Sequence, residues 1–237
     1  MDAIKLVLFD ITGTIIKDTG NMVRAFSMAL QKNDIPVDEK ELREWRGAAK
    51  SEMIRHFVER HPGSSAGNRE LRVEQVYATF RKMLEDEFAS NPLVPITGAE
   101  ATFAWLRERG VLLGTTTGYH RQLSDILLKQ AGWAKWFQTT VCSDEVALGR
   151  PAPYMIFRAM ETARVTSVTQ VVIAGDTPLD LQAGVNAGVR GIVGVSSGAH
   201  TADRLKREPH THLLPSVADL PEAIRELEGK KSASARE

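Results

Sequence analysis

Four short segments of this chain carry the residue types that phosphoryl transfer needs. Asp10 closes the apolar run Ile4-Lys5-Leu6-Val7-Leu8-Phe9 and opens the turn Ile11-Thr12-Gly13-Thr14. Such a run reads as a buried strand, and in an open α/β sheet ligands bind beyond the carboxyl ends of the strands. Gly13 frees the backbone there to turn N–H groups toward an anion. An Asp at a strand end can equally cap a turn, so the other three segments decide. Val111-Leu112-Leu113-Gly114 runs into the hydroxyls of Thr115, Thr116 and Thr117. Gly149-Arg150-Pro151-Ala152-Pro153 holds a cation on a loop stiffened by prolines. Val171-Val172-Ile173-Ala174 leads through Gly175 to Asp176, with Asp180 four residues further on. A carboxylate nucleophile, a hydroxyl donor, a fixed cation and an acid pair are together the components of metal-assisted phosphoryl transfer through an aspartyl-phosphate.

In that order the segments resemble the motifs of the haloacid dehalogenase superfamily, from residue 6 to about residue 188. The resemblance implies an α/β fold: a doubly wound, Rossmann-like parallel-sheet core with a small inserted helical cap. It also implies a Mg²⁺-dependent hydrolase acting on a small phosphorylated or phosphonylated molecule, with Asp10 as nucleophile. A carboxylate is ionised near neutral pH and attacks phosphorus without a base. Attack of an anion on an anion needs neutralising charge, and Mg²⁺ takes oxygen ligands in an octahedron to supply it. Asp10, Asp176 and the backbone carbonyl of Thr12 are the expected ligands, with Asp180 a ligand or an acceptor behind them. Thr117 is expected to donate to a phosphoryl oxygen and Arg150 to offset the phosphoryl charge. Thr115 is more simply a β-former.

Thr12 narrows the branch. Phosphatases of the superfamily usually place there a second Asp that protonates the leaving group, and threonine cannot do this at neutral pH. Phosphonoacetaldehyde hydrolases also lack that acid and instead form a Schiff base on a cap lysine. Thr117-Gly118-Tyr119, Gly149-Arg150-Pro151 and Gly47-Ala48-Ala49-Lys50 are similar to that branch. Thr116, Gly118, Tyr119, Gly47 and Arg46 join Lys50 as candidate substrate contacts. Two departures stand out: Arg46 and Met53 occupy positions where the branch has methionine and histidine. Three roles for Lys50 follow in order: contact with the substrate, imine formation, and an ordinary solvated lysine at a helix start. Three functions follow as well: a phosphonatase-like hydrolase, a phosphomonoester phosphatase or phosphotransferase with slow dephosphorylation, and a phosphometabolite-binding regulator with little catalysis.

The elements that must hold these residues alternate. Strands are expected at 4–9, 111–116, 139–142, 170–174, 190–195 and 212–214, with helices at 99–109, 120–131, 152–164, 178–187 and 218–227; this alternation implies a parallel sheet covered on both faces. Between Asp10 and about residue 90 the pattern is helical, over 20–33, from Asp38, over 50–60 and in a long helix after the loop 61–68. The division expected is 1–17 and 94–237 as core, 18–93 as cap, and 229–237 as a polar, disordered tail.

Composition bounds the rest. With 237 residues, 43% of them apolar and 25% charged, the chain reads as an ordinary globular protein. Its net charge of zero argues against a nucleic-acid or anionic-membrane surface. No apolar stretch approaches a bilayer span, and a start on the strand itself leaves no room for a signal peptide; a cytoplasmic location is expected. Cys142, the single cysteine, excludes an internal disulfide and reads as a small buried hydrophobe. His200 reads as a loop histidine, His210 and His212 as a weak zinc pattern, and Trp105, Trp133 and Trp136 as packing. The resembling branch is dimeric through its cap, so a homodimer is one assembly the resemblance implies.

Overall fold

β1 (Leu6–Phe9) is buried at every position and ends one residue before Asp10. It belongs to a computed structural model that describes residues 3–61 and 69–229. The chain leaves β1 for α1 (Asn21–Lys32), α2 (Glu39–Glu44), α3 (Lys50–Arg60) and α4 (Arg69–Ser90), then returns as α5 (Ala99–Glu108). Strand and helix alternate from there: β2 (Leu112–Thr117), α6 (Arg121–Gln130), β3 (Thr139–Cys142), α7 (Tyr154–Ala163), β4 (Val171–Gly175) and α8 (Pro178–Ala187). β5 (Gly191–Val195), a short α9 (Ala202–Leu205), β6 (His212–Leu214) and α10 (Leu220–Gly229) complete it.

The six strands form one parallel sheet in the order β3-β2-β1-β4-β5-β6, a doubly wound α/β arrangement. Leu8 pairs with Gly114 on one side and Ile173 on the other, so β1 lies at the point where the strand order reverses. The carboxyl ends of β1, β2 and β4 therefore open into one crevice. Alternation along β1 sends Val7 and Phe9 into a cluster with Phe103, Leu123 and Ile224. Leu6 and Leu8 go to the opposite face, against Met155, Ile156 and Leu181. Burial on both faces is why these strands read as continuous apolar runs.

The inserted helices pack on an aromatic centre. Phe26 of α1 meets Phe57 of α3 and Phe80 of α4 edge to face, at centroid distances of 5.6 and 5.3 Å. The two chain crossings between sheet and insert run side by side: the Lys17 N–H donates to the Val94 carbonyl and the Ile96 N–H to the Ile15 carbonyl, each at 2.8 Å.

β2 begins a residue later than expected and runs through Thr117, and α7 begins at Tyr154 rather than 152. α9 was not anticipated; four residues capped by the Thr201 hydroxyl are too short to show a period. Of the loop expected at 61–68, residues 62–68 lie outside the described residues. Gly229, expected in the tail, closes α10, and 230–237 lie outside the described residues. Among the described residues no helix is long and apolar enough to cross a membrane.

Candidate active site

Asp10 is fixed by the sheet before it does any chemistry. Its N–H donates to the Ala174 carbonyl of β4 at 2.9 Å, and its side chain is buried at the crevice. Arg150, 3% exposed, reaches it from the loop before α7: Nη1 donates to Asp10 Oδ1 at 2.8 Å and lies 2.6 Å from Asp180 Oδ1. Nη2 donates to the carbonyl and hydroxyl oxygens of Thr116 at 2.6 and 3.0 Å. Strand alternation thus turns Thr116 toward Arg150, where it orients the guanidinium, rather than to the substrate-binding position expected of it. Thr117, one residue on, faces the cavity; its hydroxyl oxygen accepts the Tyr119 N–H at 3.2 Å, which leaves its own O–H as a donor.

Asp176 follows β4 and approaches Gly13 so closely that a Cβ on that glycine would stand 2.2 Å from Oδ2. The Thr14 hydroxyl donates to Oδ1 at 3.2 Å and the Ala199 N–H to Oδ2 at 2.6 Å. Burial, with the charges of Asp10 and Asp180, pushes the Asp176 carboxyl up to about 8. Burial likewise carries Asp10 up to about 6 against the pull of Arg150. Crowded, desolvated carboxylates of this kind fit a hard divalent cation. Among the described residues no three His, Cys, Asp or Glu side chains are grouped to hold a metal by themselves. A Mg²⁺ here would draw on Asp10, Asp176, the Thr12 carbonyl and water. One Asp180 oxygen faces Arg150, and the other accepts the Thr177 N–H and hydroxyl at 3.0 and 2.6 Å in the capping box of α8.

The insert closes the crevice with the loop before α3. Arg46, Gly47 and Lys50 line a cavity of about 40 Å³ together with Asp10, Thr12, Thr117, Gly118, Tyr119 and Asp176. Lys50 is buried, which removes the solvated-lysine reading. Its Nζ donates to the Ala48 carbonyl at 2.9 Å and lies 5.6 Å from the Tyr119 ring centre. Burial, helped by the cations Arg150 and Arg46 and opposed by Asp10, brings the Lys50 amine down to about 8. Arg46 is ion-paired with Asp18.

Asp18 was not foreseen, because a lone acid in a linker has no spacing that points to its partner. The same holds for the Ala199 N–H. His200 lies in the same loop, and burial lowers its pKa. His212 meets Glu226 at 3.4 Å and His210 its own strand's approach, at the Glu208 carbonyl, with no zinc cluster among the described residues. Cys142 is buried, and burial pushes its thiol up to about 12. Trp133 is core, its indole N–H donating to Glu100 at 2.6 Å; Trp105 and Trp136 pack at the rim under arginines.

A parallel sheet that brings two acids, a hydroxyl and a buried guanidinium together at its carboxyl edge, under a helical insert, defines a hydrolase of the haloacid dehalogenase type. Residues 4–188 match the family described as haloacid dehalogenase-like hydrolase, and the chain belongs to that family of enzymes. It is similar to phosphonoacetaldehyde hydrolases. The one from Parabacteroides distasonis is 34% identical over 187 residues, 68% of this chain and 69% of that protein. The one from Bacteroides fragilis is 30% identical over 248 aligned positions, 99% of this chain and 90% of that protein. The fold is shared with a phosphonoacetaldehyde hydrolase-like protein from Oleispira antarctica, with a TM-score of 0.84 at 24% identity over 97% of this chain and 96% of that one.

Proposed function

We propose that the protein is a Mg²⁺-dependent hydrolase of a small phosphorylated or phosphonylated metabolite, working through an aspartyl-phosphate on Asp10, with 18–93 as a cap over a core of 1–17 and 94–237. The observation that carries this reading is the buried contact of Arg150 Nη1 with Asp10 Oδ1 at 2.8 Å, beside a cavity lined by Asp10, Thr117 and Asp176. Asp10 attacks phosphorus, the bond to the leaving group breaks, and water then cleaves the Asp10 acyl phosphate to release phosphate. Arg150 and the Thr117 hydroxyl hold the phosphoryl oxygens in line with Asp10. Mg²⁺, when bound, offsets the charge between nucleophile and phosphoryl group.

Thr12 donates no proton at neutral pH, so the leaving group depends on the cap side of the cavity, where Lys50 stands. An amine with a pKa of about 8 is roughly nine-tenths protonated at pH 7, suited to contacting and protonating a leaving oxygen. The neutral tenth is what imine formation with an aldehyde would use, and the similarity to phosphonoacetaldehyde hydrolases favours that second reading. Against it, the histidine position holds Met53, fully buried, and His56 is turned to Glu41 and Trp45 within the insert. Phosphate release from a panel of small phosphoesters and phosphonates, with and without Mg²⁺, tests the proposal. Metal-dependent release from at least one is expected; release from none would leave the regulator reading.

A further inference from the structure

The loop that closes the cavity is joined to the core at the residues next to two catalytic side chains. α3 begins at Lys50 after Ala49, and no side chain caps it. The Lys50 N–H, one of the donors a helix start leaves without an internal partner, is instead directed to the Gly118 carbonyl at 3.3 Å, one residue past Thr117. Glu52 stands at the third position of α3, where a glutamate ordinarily reaches back to its own helix cap. Here its Oε1 accepts the Gly149 N–H at 3.0 Å, one residue before Arg150. Both core residues are glycines for the same reason. A Cβ on Gly118 would stand 2.4 Å from the Ala48 carbonyl oxygen, and one on Gly149 2.7 Å from the Ala49 Cβ.

We propose that Glu52 is a positioning residue that, from the insert, holds the turn of the core that carries Arg150. The Gly149–Glu52 bond fixes the residue before Arg150, and with it the turn that delivers the guanidinium to Asp10 Oδ1 at 2.8 Å. The tie rests on the hydrolase reading only for Arg150's contact with the phosphoryl group.

Glu52→Ala and Glu52→Gln in the full chain test it, by hydrogen exchange at the Gly149 amide and by steady-state kinetics on whichever substrate the panel identifies. Glu52→Ala is expected to speed Gly149 exchange and lower kcat about tenfold, the loss of one hydrogen bond to a charged acceptor, with a smaller change in KM. Glu52→Gln, whose amide oxygen accepts the same N–H, is expected to restore most of both. Unchanged exchange at Gly149 in Glu52→Ala, or a Gln variant no better than Ala, would overturn the proposal. Absence of turnover in the unmodified protein would overturn the hydrolase reading instead, and the exchange comparison would still decide the tie.

Discussion

Replacing Lys50 with Met removes a charge that the fold holds against its solvation. The side chain is buried, and its amine is brought from 10.5 to about 8, a displacement worth about 3 kcal/mol between protonated and neutral forms. Because the folded pKa is below the unfolded one, the native state binds fewer protons, and stability rises with pH between about 8 and 10.5. Below pH 8 the lysine is charged in both states and the whole penalty is present. Met fills a similar volume beside the Tyr119 ring but gives up the bond to the Ala48 carbonyl, about 1 kcal/mol. Lys50→Met is therefore expected to be more stable than the unmodified protein at pH 7 by about 2 kcal/mol, or about 4–8 °C in Tm for a chain of this size, while losing turnover. Urea unfolding of both proteins in metal-free buffer at pH 7 and pH 10 measures it, and the difference should shrink at pH 10. A variant less stable at pH 7, or a difference that does not narrow, would refute the reasoning and mean that the acids of the cavity fully compensate the ammonium.

Two further outcomes follow from the same geometry. Arg150→Ala leaves Asp10 and Asp180 buried without their shared cation, so it should cost about 3–5 kcal/mol of stability at neutral pH as well as turnover; a loss below about 1 kcal/mol would place the arginine among weak exposed pairs. Borohydride added with phosphonoacetaldehyde should leave Lys50 unmodified; an adduct mapped to Lys50, with loss of phosphonate cleavage in Lys50→Arg, would establish imine chemistry.

The sequence made legible what one segment can express by itself. Buried strands such as Val171–Gly175 are unbroken apolar runs because both faces are covered, and the acids after them announce where the sheet ends. Asp10, Asp176, Thr117 and Arg150 were read from such local contexts, and the structure brings them together. What depends on a partner far along the chain was not legible. Asp180 reads as a ligand or an acceptor behind the ligands and Thr116 as a substrate contact, and neither segment records that both meet the Arg150 guanidinium. Asp18 with Arg46, and Glu52 with Gly149, are pairs across the boundary between insert and sheet, where no periodicity or spacing records the contact. Arg46 is a candidate substrate contact from its own segment, and its ion pair with Asp18 appears only in the structure.

Covalent chemistry at Asp10 is the central claim, and one experiment meets it directly. The protein is mixed with Mg²⁺ and a substrate from the panel, quenched in acid during turnover, and mapped by peptide mass spectrometry alongside Asp10→Asn. One phosphoryl group is expected on the peptide containing Asp10, none in Asp10→Asn, and a fall in turnover of more than about a thousandfold in that variant. Turnover without a phosphorylated Asp10, or retention of more than about a thousandth of the rate by Asp10→Asn, would contradict the claim.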